Sequence, residues 1–180
     1  FFSSLKMLNR RQLRLKVMEV IYAYEKSIEK DIEFQLKYFL KSNKNFYRLY
    51  ITVLSIFKSL HQHSINVNSQ NSKKFLKDKS ELFYLKFSQN LFLKKISNDK
   101  FLSNQIDVLD IDIFNKHPEY LISLWKKIEL SELFSVYLKK EKFSFKDDKS
   151  LVFNLFKKII ASDDKFCLLY TSPSPRDLRK

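Results

Sequence analysis

Residues 7–27 read MLNRRQLRLKVMEVIYAYEKS, and the spacing of apolar residues in this stretch decides the fold class. Apolar side chains recur every three or four residues, at Leu13, Val17, Val20 and Tyr24. This interval places side chains on one face of an α-helix. Asn9 is followed three residues later by Gln12, which is the spacing of a capping box at a helix start. The sequence therefore predicts a helix over residues 10–27.

The same helical period continues through the middle of the chain. A second pattern begins near residue 31 and runs to residue 60, with residues 41–45 as a candidate break. Residues 61–72, HQHSINVNSQNS, are polar and rich in Asn and Ser, which predicts the main linker. A further helix is predicted over residues 80–97, with an apolar face formed by Leu82, Leu85, Leu93 and Ile96.

In residues 118–166, several residues predict where helices begin. Pro118 suits the first position of a helix, because the N–H that proline lacks has no partner there. Ser131 is a candidate cap for a short helix ending at Leu138, and Ser144 with Asp147 forms a second capping-box pattern. The predicted buried residues are Tyr120, Leu121, Leu124, Trp125, Ile128, Leu151, Leu155, Phe156, Ile159 and Ile160. Alternation with period two occurs only at residues 108–113, so we expect an all-α fold of two small packed helical bundles.

Composition excludes several classes of function. The chain has 180 residues and no glycine, so it lacks the glycine-rich phosphate loops of nucleotide-binding proteins and the nucleophile elbow of α/β-hydrolases. Its 44% hydrophobic content, with 18 Phe and 9 Tyr, predicts a folded protein. The single cysteine and the lack of a long apolar segment or secretory signal indicate a cytoplasmic protein that does not span a membrane.

Both ends of the chain are predicted not to belong to the native protein. CLLYTSPSPRD, at residues 167–177, resembles the translation of a sequencing-library adapter, so we expect residues 167–180 to be a non-native tail and the native protein to continue beyond residue 166. Residues 1–6 are interpreted as upstream read-through. The expected organisation is an N-terminal helical part over residues 7–60, a linker and lysine-rich helical middle over 61–118, and a truncated C-terminal helical part over 119–166.

Arginine is the informative charged residue. The net charge is +14, and leaving out residues 167–180 removes three basic residues and one acidic residue, so +12 remains. Up to residue 166 the arginines are Arg10, Arg11, Arg14 and Arg48. Three of them lie at a helix start, where the helix dipole disfavours cations. A bound phosphate reverses this preference, because free amides and guanidinium groups both bind anions. The cluster is either a clamp for the backbone of RNA or DNA, with Lys16 adding charge, or a solvated basic face.

The remaining candidates for metal binding are weaker. His61 and His63 lie two residues apart without a third ligand nearby, and the only cysteine belongs to the suspect tail. Asp107, Asp110 and Asp112 lack the glycine and the closing glutamate of a calcium-binding loop. We expect no metal, no cofactor and no catalytic residue.

Two blocks of sequence carry a family resemblance. The first is residues 7–27, and the second combines ELFYLKFSQNLFL at 81–93 with EYLISLWKKIELSELFSVYLKKEKFSFKDDKSLVFNLFKKIIASDDKF at 119–166. The opening N-R-R-x-x-R-x-K-V, with S-F-x-x-D-K and K-x-I-I-A downstream, resembles the NusB transcription antitermination family in the version found in the Bacteroidota.

The resemblance implies an all-helical domain of two packed bundles that binds the boxA element of ribosomal RNA leader transcripts. It implies action with NusE, a ribosomal protein that doubles as an elongation factor, in the transcribing RNA polymerase complex. Arg10, Arg11 and Arg14 match the arginine-rich RNA-contacting start of that family, and Lys16 matches it more loosely. The chain departs from the family in having fewer arginines there and no C-terminal helices, so the apolar face of residues 151–160 is expected to lose its cover.

Two other classes of function stay open at this point. The helical domain of this family also occurs fused to ribosomal RNA methyltransferases, so the chain could be the RNA-targeting part of an enzyme. A basic helical protein could also bind anionic surfaces such as a membrane without specificity. We prefer a non-enzymatic RNA-binding transcription factor, which would make no membrane contact because its aromatic residues have core spacing.

Overall fold

The computed structural model describes residues 9–71, 79–111, 117–140 and 143–166, and within these ranges it is helical with no β-strand. The all-α prediction is confirmed. The helices are α1 (Arg10–Lys26), α2 (Ile32–Asn71), α3 (Lys79–Gln89), α4 (Leu91–Ser97), α5 (Lys100–Val108), α6 (Pro118–Glu129), α7 (Glu132–Leu138) and α8 (Phe145–Leu155), with a π-helical segment at Phe156–Ile160. The expectations for residues 1–6, for Asp112 and for the tail at 167–180 fall outside the described residues.

The chain divides into two compact units, with the boundary after Thr52 inside helix α2. In the first unit, residues 27–31 connect α1 to the beginning of α2. Helix α1 contains 17 residues and buries none of them. Of the buried apolar side chains in the described part of the chain, only Ile51 belongs to this unit.

The second unit contains the main core, which is built around aromatic rings. Phe83 and Phe87 of α3 pack against Trp125 of α6, with ring centroids 5.2 and 4.8 Å away. Phe134 of α7 lies 4.3 Å from Phe83. Trp125 is 3% exposed, so its predicted place in the core is confirmed.

The predicted helix starts are confirmed where the capping contacts are local. The Gln12 N–H donates to Asn9 Oδ1 over 2.8 Å, Ser131 and Ser144 cap α7 and α8, and Pro118 occupies the first turn of α6. The last predicted apolar face is covered, in contrast to our expectation. Leu151, Leu155 and Ile160 are buried, because α8 packs against α4 and α7 and the π-helical segment packs against α6.

Two predictions for the middle of the chain are wrong. Helix α2 continues without a break at residues 41–45 and extends to Asn71, so residues 61–71 are helical and not a linker. His61 and Ser64 are 2% and 0% exposed, so these two residues belong to the core, whereas Asn66, Ser69 and Gln70 of the same stretch are exposed. The single helix predicted over residues 80–97 is two helices, α3 and α4, separated by Asn90. The Asn90 side chain caps α4 by accepting a 2.9 Å hydrogen bond from the Leu93 N–H.

The apolar face predicted for residues 80–97 is also partly wrong. Leu82 and Leu85 are 47% and 37% exposed, whereas Phe83 and Phe87 face the core. The larger aromatic side chains, one residue after Leu82 and two residues after Leu85, therefore occupy the buried face. Leu93, which belongs to the same predicted face, is buried as expected.

Candidate nucleic-acid interface

The candidate interface is the first turn of α1. Asn9 adopts an extended backbone conformation and caps the helix, since its side chain accepts from the Gln12 N–H while its own N–H donates to Gln12 Oε1 over 3.1 Å. A capping box satisfies only part of a helix N-terminus. The amides of Arg10 and Arg11 have no hydrogen-bond acceptor among the described residues. The helix thus begins with two N–H groups that an anion could bind.

Three exposed arginines lie within the first five residues of the same helix. We call Arg10, Arg11 and Arg14 the arginine cluster, and all three side chains are exposed. Arg10 and Arg14 lie one turn apart on the same side of α1, and Arg11 is displaced by about 100° around the helix. None of the three forms an ion pair with another described residue, and the first turn of α1 contains no acidic residue. The structure therefore brings the predicted residues together as an exposed cation cluster.

Lys16 differs from the arginine cluster. Its Nζ atom lies 2.9 Å from Glu19 Oε2, and the lysine side chain is 33% exposed. An exposed pair of this kind contributes little stability, but it neutralises part of the lysine charge. Lys16 is therefore a weaker candidate for phosphate contact than the three arginines.

A second feature of the same unit was missed by the sequence analysis. An apolar groove of about 270 Å³ lies between α1 and the beginning of α2, and it is lined by Val17, Val20, Ile21, Tyr24, Ile32, Gln35, Leu36 and Phe39. The helical spacing of Val17, Val20 and Tyr24 predicted an apolar face here. Spacing alone gives no signal of whether another element covers such a face, and here Ile21, Ile32 and Leu36 are 56%, 70% and 57% exposed.

The histidines considered as metal ligands have structural contacts instead. His61 Nε2 lies 3.0 Å from the Ser88 carbonyl oxygen and Nδ1 lies 2.8 Å from Ser97 Oγ. His63 packs edge-on against the Trp125 ring at 5.4 Å. Burial lowers the pKa of both imidazoles below the ordinary value of 6.5. For His61, the hydrogen bond to the Ser88 carbonyl opposes this lowering of the pKa, and nearby Lys94 adds to it.

Two of the aspartates considered as cation ligands lie at the end of α5. Asp107 and Asp110 are exposed, and Asp110 has a φ of 48°. In the described ranges, no group of three or more His, Cys, Asp or Glu side chains is arranged to hold a metal ion. No helix in the same ranges is long and apolar enough to cross a membrane.

Comparison of the chain with protein-family models, with curated proteins and with solved structures finds no match.

Proposed function

We propose that the chain is a cytoplasmic, non-enzymatic RNA-binding transcription factor of the NusB type. In this proposal it binds boxA-type leader RNA together with the ribosomal protein NusE and supports ribosomal RNA transcription by the RNA polymerase complex. The motif N-R-R-x-x-R-x-K-V at residues 9–17 and the two downstream motifs support the family assignment.

The observation that carries the proposal is the exposed arginine cluster at a helix start. Three cations without ion-pair partners in the described residues oppose the dipole of α1, so they do not favour folding. They gain favourable interactions when a polyanion binds, because guanidinium groups hold phosphates through two parallel hydrogen bonds. The amides of Arg10 and Arg11, which have no acceptor among the described residues, can add donors for the same phosphate group.

The proposal is tested by measuring RNA affinity against salt concentration. The full chain is titrated with a single-stranded leader RNA that contains boxA, and the arginine cluster is replaced by alanines in one variant. Each phosphate contact on single-stranded RNA contributes about 0.7 to the slope of log affinity against log salt. Loss of three contacts is therefore expected to reduce the slope by about 2.

A matched control separates specific contacts from net charge. Lys95, Lys126 and Lys149 are exposed and lie in the second unit, so replacing them with alanines removes the same charge elsewhere. We expect this control to bind RNA with nearly the slope of the wild type. An unchanged slope in the arginine variant, or an equal loss in both variants, would exclude the clamp. Binding that is equal for boxA RNA and a scrambled RNA would contradict the assignment to boxA.

A further inference from the structure

The apolar groove of the first unit lacks a covering element among the described residues. Helix α1 buries no residue, and Val17, Ile21, Ile32 and Leu36 along the groove are 40% to 70% exposed. Two helices joined by a short loop cannot enclose a core between them, since each presents an apolar stripe that needs further neighbours. A surface of this kind marks an interaction site.

The charges at the two ends of the groove indicate what covers it. The basic end consists of residues 10–14, with three arginines and no acid. The acidic end consists of residues 25–33, with four acidic residues and two lysines. Lys30 Nζ lies 3.6 Å from Glu25 Oε2, whereas Glu29 and Glu33 form no ion pair with another described residue. The helical rise places the two ends about 20 Å apart.

We propose that the groove binds a second copy of this chain through an antiparallel, two-fold symmetric contact. In that arrangement the basic end of each copy faces the acidic end of the other, and the apolar lining of both grooves meets in the middle. A parallel arrangement would place like charges opposite each other at both ends. The antiparallel contact is self-complementary and closed, as two-fold dimers are, and it completes a four-helix bundle from two hairpins.

The size of the groove sets the expected strength of the pair. A specific interface needs about 1,000 Å² in total, so each copy must contribute about 500 Å². Each copy offers four exposed aliphatic side chains and the charged ends to the contact, so we expect a small interface. The dimer is therefore weak and dissociates on dilution.

A charge-swap experiment tests the proposal on the full chain. The basic-end variant carries Arg10→Glu and Arg14→Glu, and the acidic-end variant carries Glu29→Lys and Glu33→Lys. Sedimentation or light scattering over a dilution series gives the dissociation constant of each. Each variant alone is expected to dimerise at least about tenfold more weakly than the wild type, because like charges then face each other at both ends.

An equimolar mixture of the two variants is expected to recover the dimer, because the reversed ends are complementary again. A control with Lys95→Glu and Lys126→Glu changes the same number of charges in the second unit and is expected to dimerise like the wild type. A monomeric wild type at every concentration, or a mixture no stronger than the single variants, would overturn the proposal. Helix content measured by circular dichroism verifies that each variant folds.

The inference does not depend on the proposed RNA binding. All measurements use nuclease-treated protein, because RNA bound to the arginine cluster would compete with the second copy. Loss of RNA binding in the alanine variants would thus leave the charge-swap result unaffected. Conversely, a monomeric protein could still bind boxA RNA.

Discussion

The buried carboxylate of Asp148 is the contact whose removal should destabilise the second unit most clearly. Asp148 lies in α8 and is 2% exposed. Its Oδ1 atom accepts a 2.6 Å hydrogen bond from the Tyr137 hydroxyl of α7, and its Oδ2 atom accepts a 2.7 Å bond from the Leu91 N–H at the start of α4. One side chain therefore ties three helices together.

The expected loss follows from these two bonds. Asp148→Ala removes both acceptors and leaves a hydroxyl and an amide buried without their partners. A hydrogen bond to a charged group contributes about 1.5–3 kcal/mol, so we expect the free energy of unfolding to fall by about 3–5 kcal/mol. Tyr137→Phe removes one bond and is expected to cost about 1.5–3 kcal/mol. The double variant should lose less than the sum of the two, with a coupling energy of at least about 1 kcal/mol.

The measurement uses an intrinsic probe of the second unit. Trp125 is the only tryptophan of the chain and is 3% exposed, so its fluorescence during urea unfolding follows this unit. Asp107→Ala removes an exposed carboxylate of α5 and serves as the control, with an expected change within about 0.5 kcal/mol. If Asp148→Ala changed the unfolding free energy no more than this control, or if the two substitutions were additive, the reasoning would be refuted.

Two further predictions concern titration and a helix end. Because burial lowers the pKa of His61 and His63, the unfolded chain binds more protons than the folded chain below pH 6.5, so the free energy of unfolding should fall as pH decreases through this value. His61→Gln should reduce this pH dependence, measured by urea unfolding at several pH values. An unchanged pH dependence in the variant would contradict the prediction. Lys86 Nζ donates to the carbonyl oxygens of Leu138 and Lys140 over 2.6 and 3.1 Å. Lys86→Met should therefore lower the unfolding free energy by about 1–3 kcal/mol, and a thermal shift equal to that of Lys95→Met would argue against this role.

Helix starts could be predicted from the sequence because their contacts are local. Asn9, Ser131 and Ser144 each accept from a backbone N–H three residues later, and the residue types at these positions specify that contact. Pro118 is specified in the same way by its missing N–H. The arginine cluster could also be placed, since a helix start fixes the side on which neighbouring residues lie.

Features that depend on distant residues could not be predicted. The polar stretch after His61 looks like a linker, because Asn and Ser usually compete with helix formation. His61 is instead buried by contacts with Ser88 and Ser97, which are 27 and 36 residues further along the chain. The exposure of the groove on α1 escaped prediction for the converse reason. A periodic apolar face has the same pattern whether the chain covers it or leaves it open.

The two units differ in what holds them together, and this difference bears on function. In the described residues the second unit contains nearly all of the buried apolar side chains, whereas α1 buries none. Substitutions in the arginine cluster should therefore change binding while leaving the main core intact. A ligand that binds only folded α1 stabilises it by about 2.7 kcal/mol at a concentration of one hundred times its dissociation constant. For a helix with so little packing of its own, we expect the proposed binding of RNA or of a second copy to add stability, so order in α1 should follow occupancy of its binding surface.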